Sequence, residues 1–166
     1  TAGSDRVCAD CAAGQFSDES GAPACKGCGA AQYQELAGQS ACLAHTTCAA
    51  GLFVTRSPNA THDRRCEDCA VGRSSAAANA GQCEECAPSY YQPSVAQTSC
   101  IACAAGRVNG SLPSSSPAHC VACGAGQYQS RDGQTACALC PAGFFSAGDA
   151  ASCSACASET FVDEAG

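Results

Sequence analysis

Apolar and polar positions along this chain keep time with its cysteines. Most stretches open on Cys, two small residues and Gly, then run to an aromatic: Cys11-Ala-Ala-Gly14-Gln-Phe16, Cys48-Ala-Ala-Gly51-Leu-Phe53, Cys123-Gly-Ala-Gly126-Gln-Tyr128 and Cys140-Pro-Ala-Gly143-Phe-Phe145. Tyr33, Tyr91 and Phe161 keep the aromatic at the fifth place, while Ser74 and Val108 depart from it. Gly three residues past Cys permits a positive φ in a tight turn, and a ring two places on can cover a neighbouring disulfide. Several stretches turn again near their end, at Gly21, Gly38, Gly133 and Gly148. The pattern predicts short two-stranded ribbons and turns with almost no helix.

Cysteines recur as C-x2-C pairs at Cys8/Cys11, Cys25/Cys28, Cys66/Cys69, Cys83/Cys86, Cys100/Cys103, Cys120/Cys123, Cys137/Cys140 and Cys153/Cys156, with one widened pair at Cys42/Cys48. The gaps between pairs run 13, 13, 17, 13, 13, 16, 13 and 12 residues, and joining Gly166 to Thr1 adds a ninth gap of 17. Across that join Phe161 and Val162 follow Cys156 as Phe53 and Val54 follow Cys48, and Asp5-Arg6-Val7-Cys8 matches Asp63-Arg64-Arg65-Cys66. A short-short-long cycle repeated three times is the mark of a repeat architecture. The chain therefore reads as one period of a tandem array cut from mid-chain. Its expected divisions are 1–7, the tail of a preceding long loop, and three cysteine-rich units at 8–65, 66–119 and 120–166, the last completed by residues 1–7 of the next copy.

Composition changes the picture of what holds such a chain. The apolar fraction is 46%, but 36 of those residues are Ala and 18 are Cys, leaving 13 Val, Ile or Leu and nine dispersed aromatics. Ordering the backbone costs roughly 1–2 kcal/mol per residue, which so little large apolar surface cannot offset. The expected fold is a small disulfide-rich repeat, an elongated rod of short β-ribbons and turns with no single hydrophobic core. Cysteine at this density belongs to oxidising compartments and points to an extracellular or cell-surface protein. No stretch is apolar enough to span a bilayer, and residues 1–25 lack the basic start and apolar middle of a leader. The net charge of −7, with a single Lys26 and seven scattered arginines, offers no basic patch for nucleic acid or anionic lipid.

The two Cys of a C-x2-C rarely bridge each other in such scaffolds, and short loops are the cheapest to close, which favours a sequential ladder. It pairs Cys11 with Cys25, Cys28 with Cys42, Cys48 with Cys66, Cys69 with Cys83, Cys86 with Cys100, Cys103 with Cys120, Cys123 with Cys137, and Cys140 with Cys153. Cys8 and Cys156 are left to pair with their counterparts in adjacent periods. A crossed scheme, Cys8 with Cys25 and Cys11 with Cys28, is the alternative.

At the widened pair the sequence becomes more specific: Cys28 to Cys42, then Leu-Ala-His-Thr-Thr-Cys48-Ala-Ala-Gly51, then Asn59-Ala-Thr-His-Asp-Arg-Arg-Cys66-Glu-Asp-Cys69. This resembles the cysteine-rich repeat of tumour necrosis factor receptors, and the shorter stretch from Cys123 to Cys140 is similar to the repeats of ephrin-receptor type. The resemblance implies modules strung into a rod, a form found in receptors, adhesion proteins and extracellular fibres alike. Loop lengths here barely vary and Ala and Gly fill many positions, which suits a spacer better than a ligand-reading surface.

Candidate chemistry is sparse. Asn59-Ala-Thr61 and Asn109-Gly-Ser111 are N-glycosylation acceptors in long loops, and Ser111, Ser114, Ser115 and Ser116 lie in or beside a Ser/Pro run of the kind that carries O-linked sugar. Zinc is a rival reading of the thiols, since Cys8/Cys11/Cys25/Cys28, Cys66/Cys69/Cys83/Cys86 and Cys120/Cys123/Cys137/Cys140 approach ribbon-type ligand spacing, but it strands six cysteines. His45, His62 and His119 stand beside no nucleophile and are expected to face solvent. The acidic pairs Asp18-Glu19, Glu67-Asp68 and Glu84-Glu85 lack calcium-loop spacing. No cofactor, metal or catalytic residue is expected. The leading expectation is a non-enzymatic extracellular structural glycoprotein whose partner is itself, period joined to period in a filament, surface appendage or stalk. The alternative is a receptor or adhesion ectodomain using Tyr90, Tyr91, Arg64 and Arg65 as contacts.

Overall fold

The computed structural model describes residues 8–157. Eight disulfides define eight consecutive loops: Cys11–Cys25, Cys28–Cys42, Cys48–Cys66, Cys69–Cys83, Cys86–Cys100, Cys103–Cys120, Cys123–Cys137 and Cys140–Cys153, with Cα atoms 5.5–5.8 Å apart. Among the described residues Cys8, exposed, and Cys156, partly exposed, are the cysteines outside a disulfide.

Each loop carries one antiparallel ribbon, and its strands are residues whose spacing from cysteine is fixed. In the first loop β1 (Gln15–Phe16) pairs with β2 (Lys26–Gly27), the two residues inside the Cys25/Cys28 pair. The same pairing joins β3 (Gln32–Tyr33) to β4 (Leu43–Ala44), β7 (Arg73–Ser74) to β8 (Glu84–Glu85) and β9 (Tyr90–Tyr91) to β10 (Ile101–Ala102). It recurs between β11 (Arg107–Val108) and β12 (Val121–Ala122), β13 (Gln127–Tyr128) and β14 (Ala138–Leu139), and β15 (Phe144–Phe145) and β16 (Ser154–Ala155). The 17-residue gap of the third loop permits a longer ribbon, β5 (Leu52–Arg56) with β6 (Arg65–Asp68). The one helical turn described is a 3₁₀ segment, Pro117–His119, capped by the Ser116 hydroxyl accepting from the Ala118 N–H. Two-residue strands are too short to persist alone, so the disulfide must hold each ribbon's ends in register.

A β-turn leads into each ribbon, closed in the third loop by the Leu52 N–H donating to the Ala49 carbonyl at 3.1 Å. Its third residue needs a positive φ in a type II turn, and Gly51 sits at +89°. A Cβ there would also meet the Ala96 carbonyl oxygen at 2.2 Å. The fifth loop has Ser89 at the same place, held at φ +61°.

The interior is sulfur. Every large or sulfur-bearing apolar side chain that is buried among the described residues is a cysteine, and Leu36, Leu43, Val121 and Leu139 are all more than half exposed. The chain divides into two compact units, Thr1–Cys48 with Val54–Glu67, and Ala49–Phe53 with Asp68–Gly166. In the first, the Gly14 N–H donates to Gln34 O at 2.7 Å, the Gln34 N–H to Ala60 O at 3.0 Å and the Gly38 N–H to Cys11 O at 2.9 Å.

Alkylation of the folded chain without reductant is expected to modify Cys8 and Cys156 alone, and after reduction all eighteen cysteines. Peptide mass mapping reads both numbers. Labelling of any loop cysteine before reduction would contradict the eight loops.

Candidate functional site: the joint between loops

In the second unit one joint is built five times in succession. The residue three places after a loop's opening cysteine donates its N–H to the carbonyl of the residue six places after the next loop's opening cysteine. The bonds are Gly51 to Ser75, Gly72 to Gln92, Ser89 to Asn109, Gly106 to Gln129 and Gly126 to Ser146, at 2.7–3.0 Å. The carbonyl of the same donor residue accepts from the cysteine that opens the following loop: Cys69 to Gly51, Cys86 to Gly72, Cys103 to Ser89, Cys123 to Gly106 and Cys140 to Gly126, at 2.8–2.9 Å. A second contact comes from each turn near a loop's end, where the Ala96, Gly133 and Asp149 N–H groups each donate at 2.9 Å to the opening cysteine of the loop before, Cys69, Cys103 and Cys123. Tyr90 adds a side-chain contact, its hydroxyl 2.6 Å from where a Gly133 Cβ would stand.

The sixth place after the opening cysteine is where polar side chains go inside. Gln34, Ser75, Gln92, Asn109 and Ser146 are all buried. A buried amide costs free energy unless it is bonded, and the glutamines are bonded to their own loops. Gln92 Nε2 donates to Ser99 O at 2.7 Å and Gln92 Oε1 accepts from the Ser94 N–H at 3.1 Å. Gln34 does the same with Ala41 O and the Leu36 N–H, and Gln129 with Ala136 O and the Arg131 N–H. Sequence reasoning missed these glutamines, although the dipeptide Tyr-Gln at Tyr33-Gln34, Tyr91-Gln92 and Tyr128-Gln129 was there to be read.

Ser89 modifies the joint. Elsewhere the sixth residue's own N–H reaches the neighbouring loop directly, as Gln92 N–H does to Ser114 O at 3.0 Å and Gln129 N–H to Ala150 O at 3.0 Å. At Asn109 the Ser89 hydroxyl is interposed. It accepts from the Asn109 N–H at 2.9 Å and donates toward Gln134 O, so one side chain ties the fifth, sixth and seventh loops. Ser89 is completely buried and Asn109 is 3% exposed, so the Asn109 N–H is left without a partner or water if the hydroxyl is lost.

His45 does not face solvent as expected. Its side chain is 8% exposed, stacked on Tyr33 with ring centroids 5.5 Å apart and planes 7° from parallel. The reason is positional: His45 follows Cys42 as Cys28 follows Cys25, and its N–H donates to Ala31 O as the Cys28 N–H does to Gly14 O. It stands where the second cysteine of a pair would be. Beside it, Asp63 clasps the widened linker, accepting from the Thr46 N–H at 2.8 Å, from the Thr46 hydroxyl and from the Arg64 N–H at 2.7 Å. The Thr46 hydroxyl first, then the two backbone N–H groups, hold the Asp63 carboxyl down at about 2 against an opposing effect of burial. Burial, then the Asp63 charge, push the Tyr33 phenol up. His62 is half-buried with Nδ1 3.2 Å from Thr61 Oγ1, and His119 is exposed with Nδ1 3.0 Å from Ser114 Oγ.

The remaining candidates scatter. Asn59 is exposed and Asn109 is buried. Of the Ser/Pro run Ser111 is exposed, Ser115 and Ser116 half-buried and Ser114 fully buried. Arg64 Nη1 donates to Thr46 O at 2.6 Å, and Arg65 is exposed on β6. The ion pairs Lys26–Asp18, Arg73–Glu85 and Arg107–Asp149 are surface contacts that add little. Among the described residues no three His, Cys, Asp or Glu side chains gather as a metal site. No helix of the described residues is long and apolar enough to cross a membrane.

A family model described as "TNFR/NGFR cysteine-rich region" matches residues 28–66, and one described as "Tyrosine-protein kinase ephrin type A/B receptor-like" matches residues 72–120 and 110–151. The chain is built of TNFR-like and ephrin-receptor-like cysteine-rich repeats. Comparison with curated proteins gives no match. Both families are receptor-type cysteine-rich domains, typically extracellular, and neither is a family of enzymes. In this chain the TNFR-like match covers the widened linker with its Asp63 clasp, and the ephrin-receptor-like matches cover four of the five regular joints, from Gly72 to Ser146.

Ser89→Ala is expected to destabilise the folded chain by about 1–3 kcal/mol, since it strands the buried Asn109 N–H. Ser89→Gly should cost less, because it relieves the positive φ and lets Asn109 approach Gln134 directly as the other joints do. Denaturant titration with disulfides intact measures both. Asp63 binds its proton less readily folded than unfolded, so its contribution is present in full above its ordinary value of 3.8 and lost as pH falls toward about 2. Asp63→Asn should therefore melt below the parent chain at pH 6, with the gap closing between pH 4 and pH 2.

Proposed function

We propose that this chain is a non-enzymatic structural segment of an extracellular protein, a rod or filament in which disulfide-closed loops follow one another through a single kind of joint. The observation that carries this reading is the five-fold recurrence of the same N–H to carbonyl bond from Gly51 through Ser146. A surface that reads a ligand needs loops that differ, whereas a spacer needs a joint that can be repeated without limit. Heterologous contacts of that kind extend rather than close. The partner is another copy of the same period, and the linking bond is a disulfide from Cys156 of one period to Cys8 of the next. The two thiols lose two protons and two electrons to a disulfide-carrying oxidoreductase, which is reduced to its dithiol. Glycan at surface asparagine or serine would keep neighbouring rods apart.

A second reading, a receptor or adhesion ectodomain, is favoured by the receptor origin of both matched families. Of its suggested contacts, Tyr90 packs at Gly133 and Arg64 holds Thr46, so Tyr91 and Arg65 would have to carry it.

Electron microscopy of the natural full-length protein separates the two. The structural reading expects unbranched fibres with regularly spaced beads that lengthen and lose their beads under reductant. Short particles that stay monomeric and bind a cell-surface protein through Tyr91 and Arg65 would overturn it.

A further inference from the structure

We infer that Asn59 is the residue of this chain that carries N-linked glycan in the folded product, and that Asn109, with an equally valid acceptor sequence, carries none. The inference rests on the extracellular reading above, because it requires passage through a glycosylating secretory pathway. What distinguishes the two asparagines is their place in the joints.

Asn59 lies at the tip of the third loop, where its N–H donates to His62 O at 3.1 Å. Its side chain is oriented by its oxygen: Oδ1 accepts from the Thr61 N–H at 2.9 Å, the Thr61 hydroxyl at 3.0 Å and the His62 N–H at 3.0 Å. That leaves the amide nitrogen of an exposed residue as the atom directed away from the turn. Transfer forms a bond from this Nδ2 to the anomeric carbon of a polyprenyl-pyrophosphate-linked oligosaccharide. The carbon–oxygen bond to pyrophosphate breaks with its electron pair leaving on the polyprenyl pyrophosphate, and the amide gives up one proton. A sugar attached there projects into solvent and disturbs none of the three bonds to Oδ1.

Asn109 occupies the sixth place of its loop, the inward place, and is 3% exposed. Its Nδ2 donates to Ser111 O at 3.4 Å, its Oδ1 accepts from the Ser111 N–H at 2.8 Å, and its N–H and carbonyl are both taken by Ser89. Oligosaccharide on that nitrogen has no exit. Sugar can be transferred to a chain that has not finished folding, so a chain modified at Asn109 cannot afterwards close the joint among the fifth, sixth and seventh loops, and it is lost from the folded pool.

The chain is secreted from a glycosylating host, purified as folded protein, and treated with peptide N-glycosidase in ¹⁸O water, which marks each formerly glycosylated asparagine as ¹⁸O-aspartate. The mark is expected at Asn59 and absent at Asn109. Ser111→Ala destroys the second acceptor sequence while leaving Asn109 and its backbone bonds to residue 111 in place, and it should leave N-glycan mass unchanged and secreted yield equal or higher. Asn59→Gln should remove the N-glycan mass entirely. A mark at Asn109 in folded protein, an unmarked Asn59, or N-glycan loss in Ser111→Ala would each overturn the assignment. Filament images bear on the structural role and are independent of all three readouts, so the two proposals fail separately.

Discussion

Each disulfide holds the opening of a loop against its close, and the two-residue strands, the turns and the joints between loops exist only because it does. With thirteen Val, Ile and Leu in the whole chain, no apolar interior could hold residues 12 and 24 near each other. The crosslink acts largely on the unfolded chain, removing conformations that a free loop would explore, by about 3 kcal/mol for a loop near fifteen residues. The cysteines also take the interior positions that hydrocarbon occupies in larger domains, and Cys48 and Cys69 are wholly inaccessible.

Because sulfur fills the interior, cohesion from one loop to the next falls to hydrogen bonds. The residues at the third and sixth places after most opening cysteines form a polar seam, dry enough that Ser89 is completely buried and Gln92 and Asn109 are 3% exposed. Such a seam tolerates little substitution, since a missing partner leaves a desolvated donor or acceptor. The surface tolerates more. Leu43, Val121 and Leu139 stand outside on the strands within or beside the cysteine pairs, where nothing in the joint depends on them.

Much of this was legible from spacing because a repeat shows its rules several times. Glycine three places after cysteine and an aromatic two places later gave away the turn and the ribbon, and the scarcity of large apolar residues excluded a single core. What stayed hidden depends on residues far apart in sequence meeting through the loops. Nothing around His45 announces Tyr33, and only its offset from Cys42, the same as Cys28 from Cys25, explains why it turns inward. Ser89 reads as a small residue in a glycine's place until Asn109 and Gln134 are brought to it. The two asparagine acceptors look alike as motifs, and they differ only because Asn109 falls on the inward sixth place. The inward glutamines were readable and were passed over, since a lone Gln after Tyr carries no chemistry of its own.

The ribbon strands inside the cysteine pairs have a bearing on extensibility. Between Cys100 and Cys103 only Ile101 and Ala102 lie outside a closed loop, whereas thirteen residues lie within Cys86–Cys100. Tension applied along the backbone of the oxidised chain passes through the sulfur bridge and bypasses those thirteen. At about 3.3–3.6 Å of contour per residue, the enclosed slack becomes available only when the bridge is cut. The compliance of such a chain is thus set by the thiol–disulfide balance around it, stiff where oxidants prevail and several-fold longer where they do not.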